Sequence, residues 1–511
     1  MRRTLLIYSG VLLLCGAGML VAFERGRHLP RPAAVAGAPA TVGVTAPAAS
    51  GDSASLWSSL RENLKDPISR LLLQVMVIVL ATRMLGALFA RGGQPAVVGE
   101  VLAGILLGPS LLGWLWPQAS AFLFPQESLG VLKLFSQIGV CLFMFVVGLE
   151  LEVSHLRQKA QTAIVVSHAS IMIPYLLGVT AALFLYTHYA APDASFAAFA
   201  LFMGIALSIT AFPVLARILN DRGIAKTFLG SMAITCAAVD DATAWAILAF
   251  VVAIGQATSL ASTVLCLGLV LAFLGLMFWG VRPRLPRWFG VEAGIWPSPP
   301  SNPLAASSPG ERGGSEGGEG HKIMAGGEPG RSVVASGLIL MIASALTTEL
   351  IGIHALFGAF LAGVVMPQKR EFREYLVVRL EHFSSLFLLP LFFAFSGLRT
   401  HVGLLNDATS WLVCLAIIGV ATLGKLGGTM FTARLTGMSW NDSFALGALM
   451  NTRGLVELVA LNTGYDLGIL PPRIFAMMVL MALVTTVLTG PLLNLAASAK
   501  RRAVPAVATS Q

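Results

Sequence analysis

Stretches of about twenty apolar residues recur along this chain, each closed by a short polar joint, and they limit what it can fold into. A helix needs about 20 mostly apolar residues to cross the hydrocarbon of a bilayer. A chain carrying many such stretches buries them in lipid, not in a single soluble core. Composition agrees: 56% of the 511 residues are apolar and 12% charged, against roughly a quarter charged in ordinary soluble domains. A large soluble enzyme is excluded, and the expected fold is an all-α polytopic membrane protein.

About thirteen spans are predicted, near 69–90, 95–113, 129–151, 162–187, 196–219, 225–254, 260–281, 333–350, 354–366, 381–398, 411–433, 441–464 and 473–497. The ninth is short for a full crossing. Residues 1–23 begin with Arg2-Arg3 and continue as an apolar run, the pattern of a signal peptide or signal anchor. Residues 24–68, with a small-residue run from Ala33 to Ala49, read as an extracytoplasmic linker.

The net charge of +9 invites a nucleic-acid reading, but the positions of the charges oppose it. Arg91, then Arg157 and Lys159, then Arg217, Arg222 and Lys226 fall in every second loop. Arg282 to Arg287, the run Lys369 to Arg379, Arg434 and Lys500-Arg501-Arg502 continue the alternation, while the loops near 114–128, 188–195 and 255–259 carry no Lys or Arg. This is the positive-inside pattern of a membrane protein with its C-terminus in the cytoplasm. Residues 282–332, rich in Gly, Pro, Ser and Glu, read as a disordered cytoplasmic linker between a first transmembrane half, 69–281, and a second, 333–499. A cytoplasmic tail, 500–511, follows. Weak similarity between the halves around Leu102-Ala103-Gly104 and Leu361-Ala362-Gly363 suggests two inverted repeats. The five cysteines have no metal or disulfide spacing.

Charged side chains inside spans are costly and usually functional. Asp240 and Asp241 lie mid-way along the sixth span, Lys425 along the eleventh, and Arg453 and Glu457 in the twelfth. A carboxyl in low dielectric favours its neutral form, and a neighbouring carboxylate reinforces this. A dehydrated monovalent cation can take the proton's place, because carboxylate and carbonyl oxygens suit hard ions. Competition of proton and cation for one carboxylate is the minimum chemistry of exchange, and an ammonium such as Lys425 can hold the other aspartate charged. Two spans carry marks of breakage: Pro213 deep in the fifth, and the polar Asn451-Thr-Arg-Gly454 in the twelfth. Unwound backbone at membrane depth is tolerated only where protein or a cavity surrounds it, so the pair points to a midplane ion site. No nucleophile elbow, metal-ligand spacing or phosphate loop argues for an enzyme. His168 and His354 read as packing or hydrogen-bonding residues.

The motifs Gln94-Pro-Ala-Val-Val-Gly-Glu-Val-Leu-Ala-Gly-Ile-Leu-Leu-Gly-Pro-Ser110, Ile209-Thr-Ala-Phe-Pro-Val-Leu-Ala-Arg217, Val239-Asp-Asp-Ala-Thr-Ala-Trp245 and Asn451-Thr-Arg-Gly-Leu-Val-Glu457 together resemble the monovalent cation:proton antiporter-2 family over residues 69 to 497. The resemblance implies a core of spans four to six and eleven to thirteen moving, elevator-like, against a dimerisation domain. Its crossing unwound stretches would be Thr210 to Pro213 and Asn451 to Gly454. It further implies Asp241 as the ion- and proton-binding carboxylate, Asp240 as its partner salt-bridged to Lys425, and Thr210 as an oxygen donor to the cation. The Asp-Asp pair with Lys425 looks like the family's electrogenic pattern. The expected protein is thus a Na+/H+ or K+/H+ antiporter serving pH homeostasis, a homodimer in a bacterial inner membrane, with no cofactor and no nucleic-acid partner. A potassium efflux pathway or a non-transporting sensor on the same scaffold is the alternative.

Overall fold

The computed structural model describes residues 2–26, 29, 66–150, 160–225, 227–256, 260–289 and 331–503. Most of the expected linkers 24–68 and 282–332, part of the tail 500–511, and Arg157, Lys159 and Lys226 lie outside the described residues. Every regular element among those described is helical. Ten of these helices are long and apolar enough to cross a membrane. Trp440–Met450 and Leu455–Asp466, bent by 43° at their break, make an eleventh span. Two shorter apolar helices, Gly268–Val281 and Ala355–Val365, stand at the seventh and ninth predicted spans.

The helices that carry the argument are α1 (Arg2–Gly26), α2 (Pro67–Arg91), α3 (Ala96–Leu107), α4 (Gln126–Glu150), α5 (Ala160–Tyr189), α6 (Phe196–Ser208), α7 (Phe212–Asp221), α8 (Phe228–Gln256), α9 (Arg331–Ile351), α10 (Ala355–Val365), α11 (Arg370–Phe383), α12 (Leu389–Leu398), α13 (Ala408–Leu435), α14 (Trp440–Met450), α15 (Leu455–Asp466) and α16 (Pro472–Ala503). They form two compact units assembled from interleaved stretches. One comprises Met1–Gly139, Val153–Thr263 and Leu386–Gln511; the other comprises Val140–Glu152 and Val264–Ser385.

Within the first unit, small residues let helix backbones meet, as expected where lipid removes the hydrophobic drive for helix association. A Cβ on Gly104 of α3 would lie 2.1 Å from the Ala394 carbonyl oxygen of α12, and one on Gly397 would lie 2.3 Å from that of Val101. The two glycines thus define one backbone-to-backbone crossing. Around the broken spans, the apolar core contains Leu215, Leu219, Ala233, Ala237, Leu446 and Leu449.

The second unit uses the same device. The Ser344 hydroxyl donates to the Gly358 carbonyl at 2.6 Å, where a Cβ on Gly358 would clash with the Ser344 carbonyl. The Glu349 carboxylate accepts from the Ala355 amide at 2.8 Å, capping α10. One expectation changes here. The basic run Lys369 to Arg379, read as a loop, is mostly helix α11. Its apolar residues Phe372, Leu376 and Leu380 recur every four positions and are buried, and Arg370 pairs with Glu374 on the polar face at 2.7 Å. It is an amphipathic helix whose apolar face is turned into the protein. Buried Arg373 donates to the Leu149 carbonyl at 2.6 Å and the Pro367 carbonyl at 3.1 Å.

The N-terminal segment is helical and packs on α5 and α6. Cys15 and Ala22 are buried, and Gly18 faces Leu176 so closely that a Cβ would lie 2.9 Å away. Phe23 meets the Phe196 ring edge-on at 6.2 Å, and a Cβ on Gly26 would lie 1.9 Å from that ring. Gly18, Ala22 and Gly26 fall four apart on one face, a small-residue packing seam.

Two outcomes are expected. Gly104→Val, which forces side-chain volume into a backbone contact, should destabilise the protein by about 1–3 kcal/mol or more, seen as a lower unfolding temperature in detergent. The seam on α1 predicts that residues 1–26 are retained; the intact mass of the purified protein checks this, and loss of that mass would count against it.

Candidate functional site

The site forms where two interrupted helices meet. Residues 209–211 separate α6 from α7, and residues 451–454 separate α14 from α15. Pro213 is not in the first gap, where the predicted break placed it. It sits in the first turn of α7, a position at which its missing N–H costs nothing. The residues that leave the helix are Ile209, Thr210 and Ala211.

The two gaps supply one another's hydrogen bonds. The Ala211 amide donates to the Thr452 carbonyl at 3.0 Å, and the Thr210 hydroxyl donates to the Met450 carbonyl at 2.9 Å. Arg453 reaches across with both ends of its guanidinium, to the Ala206 carbonyl at 2.7 Å and the Leu207 carbonyl at 2.6 Å. These carbonyls close α6, where the helix dipole concentrates negative charge and favours a cation. Gly454 leaves room for the contact, since a Cβ there would lie 2.9 Å from Val214 and 3.1 Å from Ala211. Glu457, in the first turn of α15, faces Arg453 at 3.8 Å.

A third helix completes the accounting. The Thr486 hydroxyl of α16 lies 3.0 Å from both the amide nitrogen and the carbonyl oxygen of Arg453. Asn451 donates to the Thr485 carbonyl at 3.4 Å, and Thr489 lies 3.4 Å from the Thr452 hydroxyl. Thr485, Thr486 and Thr489 are all buried.

The aspartates stand beside this crossing on α8, both buried. Asp240 turns to α13 and α5: the Lys425 ammonium donates to its Oδ2 at 2.8 Å, and the Ser167 hydroxyl donates to its Oδ1 at 3.2 Å. Lys425 also donates to the Ser170 hydroxyl at 3.0 Å. Asp241 is different. Neither of its oxygens has a hydrogen-bond partner; the backbone N–H of Phe212, which opens α7, bears on it electrostatically without reaching hydrogen-bond geometry. The Asn451 Oδ1 oxygen is likewise buried without a donor. A buried carboxylate left this way is costly unless a proton or cation completes it.

The transmembrane model of the sodium/hydrogen exchangers matches residues 75–291 and 322–498. The chain belongs to the sodium/hydrogen exchanger family. It is 41% identical over 429 residues to the Na(+)/H(+) antiporter NhaS4 of Synechocystis sp., covering 83% of this chain and 96% of that protein. The K(+)/H(+) antiporter 1 of Saccharomyces cerevisiae is 31% identical over 439 residues, covering 85% of this chain and 47% of the yeast protein. The sodium proton antiporter MjNhaP1 of Methanocaldococcus jannaschii shares the fold, with a TM-score of 0.56 at 14% identity over 85% of this chain and 99% of that one. Exchangers of this family are integral membrane transporters, not enzymes.

Of the residues singled out in the sequence, Thr210, Asn451, Arg453 and Glu457 belong to the crossing, and Asp240, Asp241 and Lys425 flank it. His168 hydrogen-bonds the Ile164 carbonyl at 2.8 Å and His354 caps α10, so both are accounted for locally. Ser167, Ser170 and the three threonines of α16 were not singled out. Their signal is a helical spacing of hydroxyls, Ser167 with Ser170 and Thr485 with Thr489, in otherwise apolar sequence. The far end of α15 is anchored as well: Asp466 pairs with Arg399, and with Lys133 at 2.9 Å, while Arg399 also donates to Asn462 at 2.9 Å.

The hydrogen-bond accounting predicts an order of stability. Arg453→Ala strands two carbonyls and a buried carboxylate and should cost roughly 3–5 kcal/mol, as breaking a buried ion pair does. Thr486→Val, which removes the hydroxyl facing the Arg453 amide and carbonyl, should cost about 1–3 kcal/mol. Unfolding temperatures of the solubilised proteins should fall in that order; an Arg453→Ala protein as stable as wild type contradicts the assignment.

Proposed function

We propose that the protein exchanges a monovalent cation, Na+ or K+, for H+ across the membrane, with cation and proton competing for Asp241. The observation that carries this reading is the Asp241 carboxylate itself. It is buried, neither oxygen is hydrogen-bonded, and it lies next to a second carboxylate already held by an ammonium. One proton neutralises such a group; so does one dehydrated cation, completed by oxygens from the surrounding gaps. Thr210 is the candidate from the first gap, its hydroxyl spending its hydrogen on Met450 and keeping lone pairs for an ion. The antiporters named among its relatives support exchange over simple conduction.

Asp240 sets the charge. While Lys425 pairs with it, the two side chains are neutral as a unit, and a cation that draws Asp240 into its coordination must displace the ammonium. Exchange then needs no cofactor, only the two ions and the bilayer. Alternating access comes from elevator-like movement of the helices that carry the crossing, in a homodimer. The membrane is the bacterial inner membrane, with the C-terminus in the cytoplasm as the loop charges indicate, and the Asp-Asp-Lys set favours an electrogenic cycle.

In everted vesicles carrying the protein, adding Na+ or K+ should dissipate an imposed pH gradient, and Asp241→Asn should reduce this to the level of vesicles without it. An Asp241→Asn protein that exchanges as fast as wild type sinks the assignment. Cation flux that persists unchanged with the pH gradient collapsed, and without proton counterflow, would instead identify a channel-like pathway.

A further inference from the structure

Lys425 is buried, and its ammonium has three N–H groups to place. One goes to Asp240 and one to Ser170. If a cation occupies Asp240, the ammonium loses its charged partner at a position that is fully buried in this structure. What then keeps it satisfied is the second acceptor. Ser170 lies three residues from Ser167 on the same face of α5, and the pair divides the work: Ser167 donates to Asp240, and Ser170 accepts from Lys425.

Building on the exchange reading above, we propose that Ser170 is a positioning residue for cation binding, the seat that retains the Lys425 ammonium when a cation takes Asp240. Its effect is unequal between the two situations. With Asp240 paired to Lys425, losing the Ser170 hydroxyl removes one of two acceptors and leaves the charge compensated. With Asp240 given over to a cation, the same loss leaves a buried ammonium with no acceptor from this pair, and an unmet buried donor costs more than a lost hydrogen bond. The Ser170 hydroxyl therefore stabilises the cation-bound arrangement more than the ion-paired one. Its removal should weaken cation binding while leaving the machinery that moves the site in place.

The test is a cation titration in everted vesicles with wild type, Ser170→Ala and Ser170→Thr, each verified as monodisperse in detergent. Ser170→Ala should raise the KM for the activating cation by about 3- to 10-fold, the size of one differential hydrogen bond, with a much smaller change in maximal rate. Ser170→Thr keeps the hydroxyl and should bring KM back toward wild type. An unchanged KM in Ser170→Ala overturns the proposal. So does an equal loss in the alanine and threonine proteins, or a fall in maximal rate without a KM change, since both report packing. Failure of wild type itself to exchange cation for proton would refute the functional reading, an outcome separate from any result on Ser170.

Discussion

The hydrogen bond from the Ala211 amide to the Thr452 carbonyl joins two interruptions in helices that otherwise sit in apolar surroundings. An interrupted helix exposes amides and carbonyls that water cannot reach at membrane depth, and each unmet group costs several kcal/mol. Here each gap meets part of the other's demand, through that bond, through Thr210 and Met450, and through the Arg453 guanidinium on the end of α6. Threonines of α16 take up much of the remainder. Neither break would be tolerable alone, so the crossing is a cooperative unit, and the side chains around it inherit fixed positions.

The aspartate pair draws its asymmetry from that placement. Successive residues on a helix point about 100° apart, so Asp240 and Asp241 cannot share one set of neighbours. Asp240 falls on the side of α5 and α13, where a serine and a lysine meet both of its oxygens. Asp241 falls toward the first gap, where the half-helix beginning at Phe212 offers a favourable dipole end but no aligned donor. The same chemical group, repeated once, becomes a satisfied carboxylate and an unsatisfied one. The structural difference between the two aspartates arises from helical geometry and needs no difference in residue type.

The outline of this arrangement was legible in the sequence, because its strongest terms are local. Apolar stretches mark spans, and α1 to α16 follow them closely apart from α11. A lone Lys or a pair of Asp in such a stretch is conspicuous by its cost, and Asn451 to Gly454 announces a break by its polarity. What was not legible depends on long-range partners. Nothing near Ser167 or Ser170 in sequence says that α13 will bring Lys425 to them, and nothing near Thr486 says that it faces a gap. Pro213 misled in a different way: proline marks a helix start as readily as a break, and here it opens α7 just after the gap. The run Lys369 to Arg379 read as a loop because charge dominated the reading, while the four-residue spacing of Phe372, Leu376 and Leu380 carried the helix.

The two buried cations show why lysine and arginine are not interchangeable here. Arg453 presents a planar fork whose two ends fit two successive carbonyls at 2.7 and 2.6 Å. That geometry is directional, and releasing it would expose backbone groups of α6 with no substitute. Arginine is suited to such fixed, forked contacts, and the contact belongs to the permanent framework. Lys425 presents a compact charge on a flexible stem, with donors that rotate among acceptors. Its partners are side chains, a carboxylate and a hydroxyl, either of which it can hold without the other. Under the exchange proposed above, a pairing that yields to an incoming ion is better made by such a group. The fold thus places its forked, directional cation on the backbone crossing and its compact one on the carboxylate beside it.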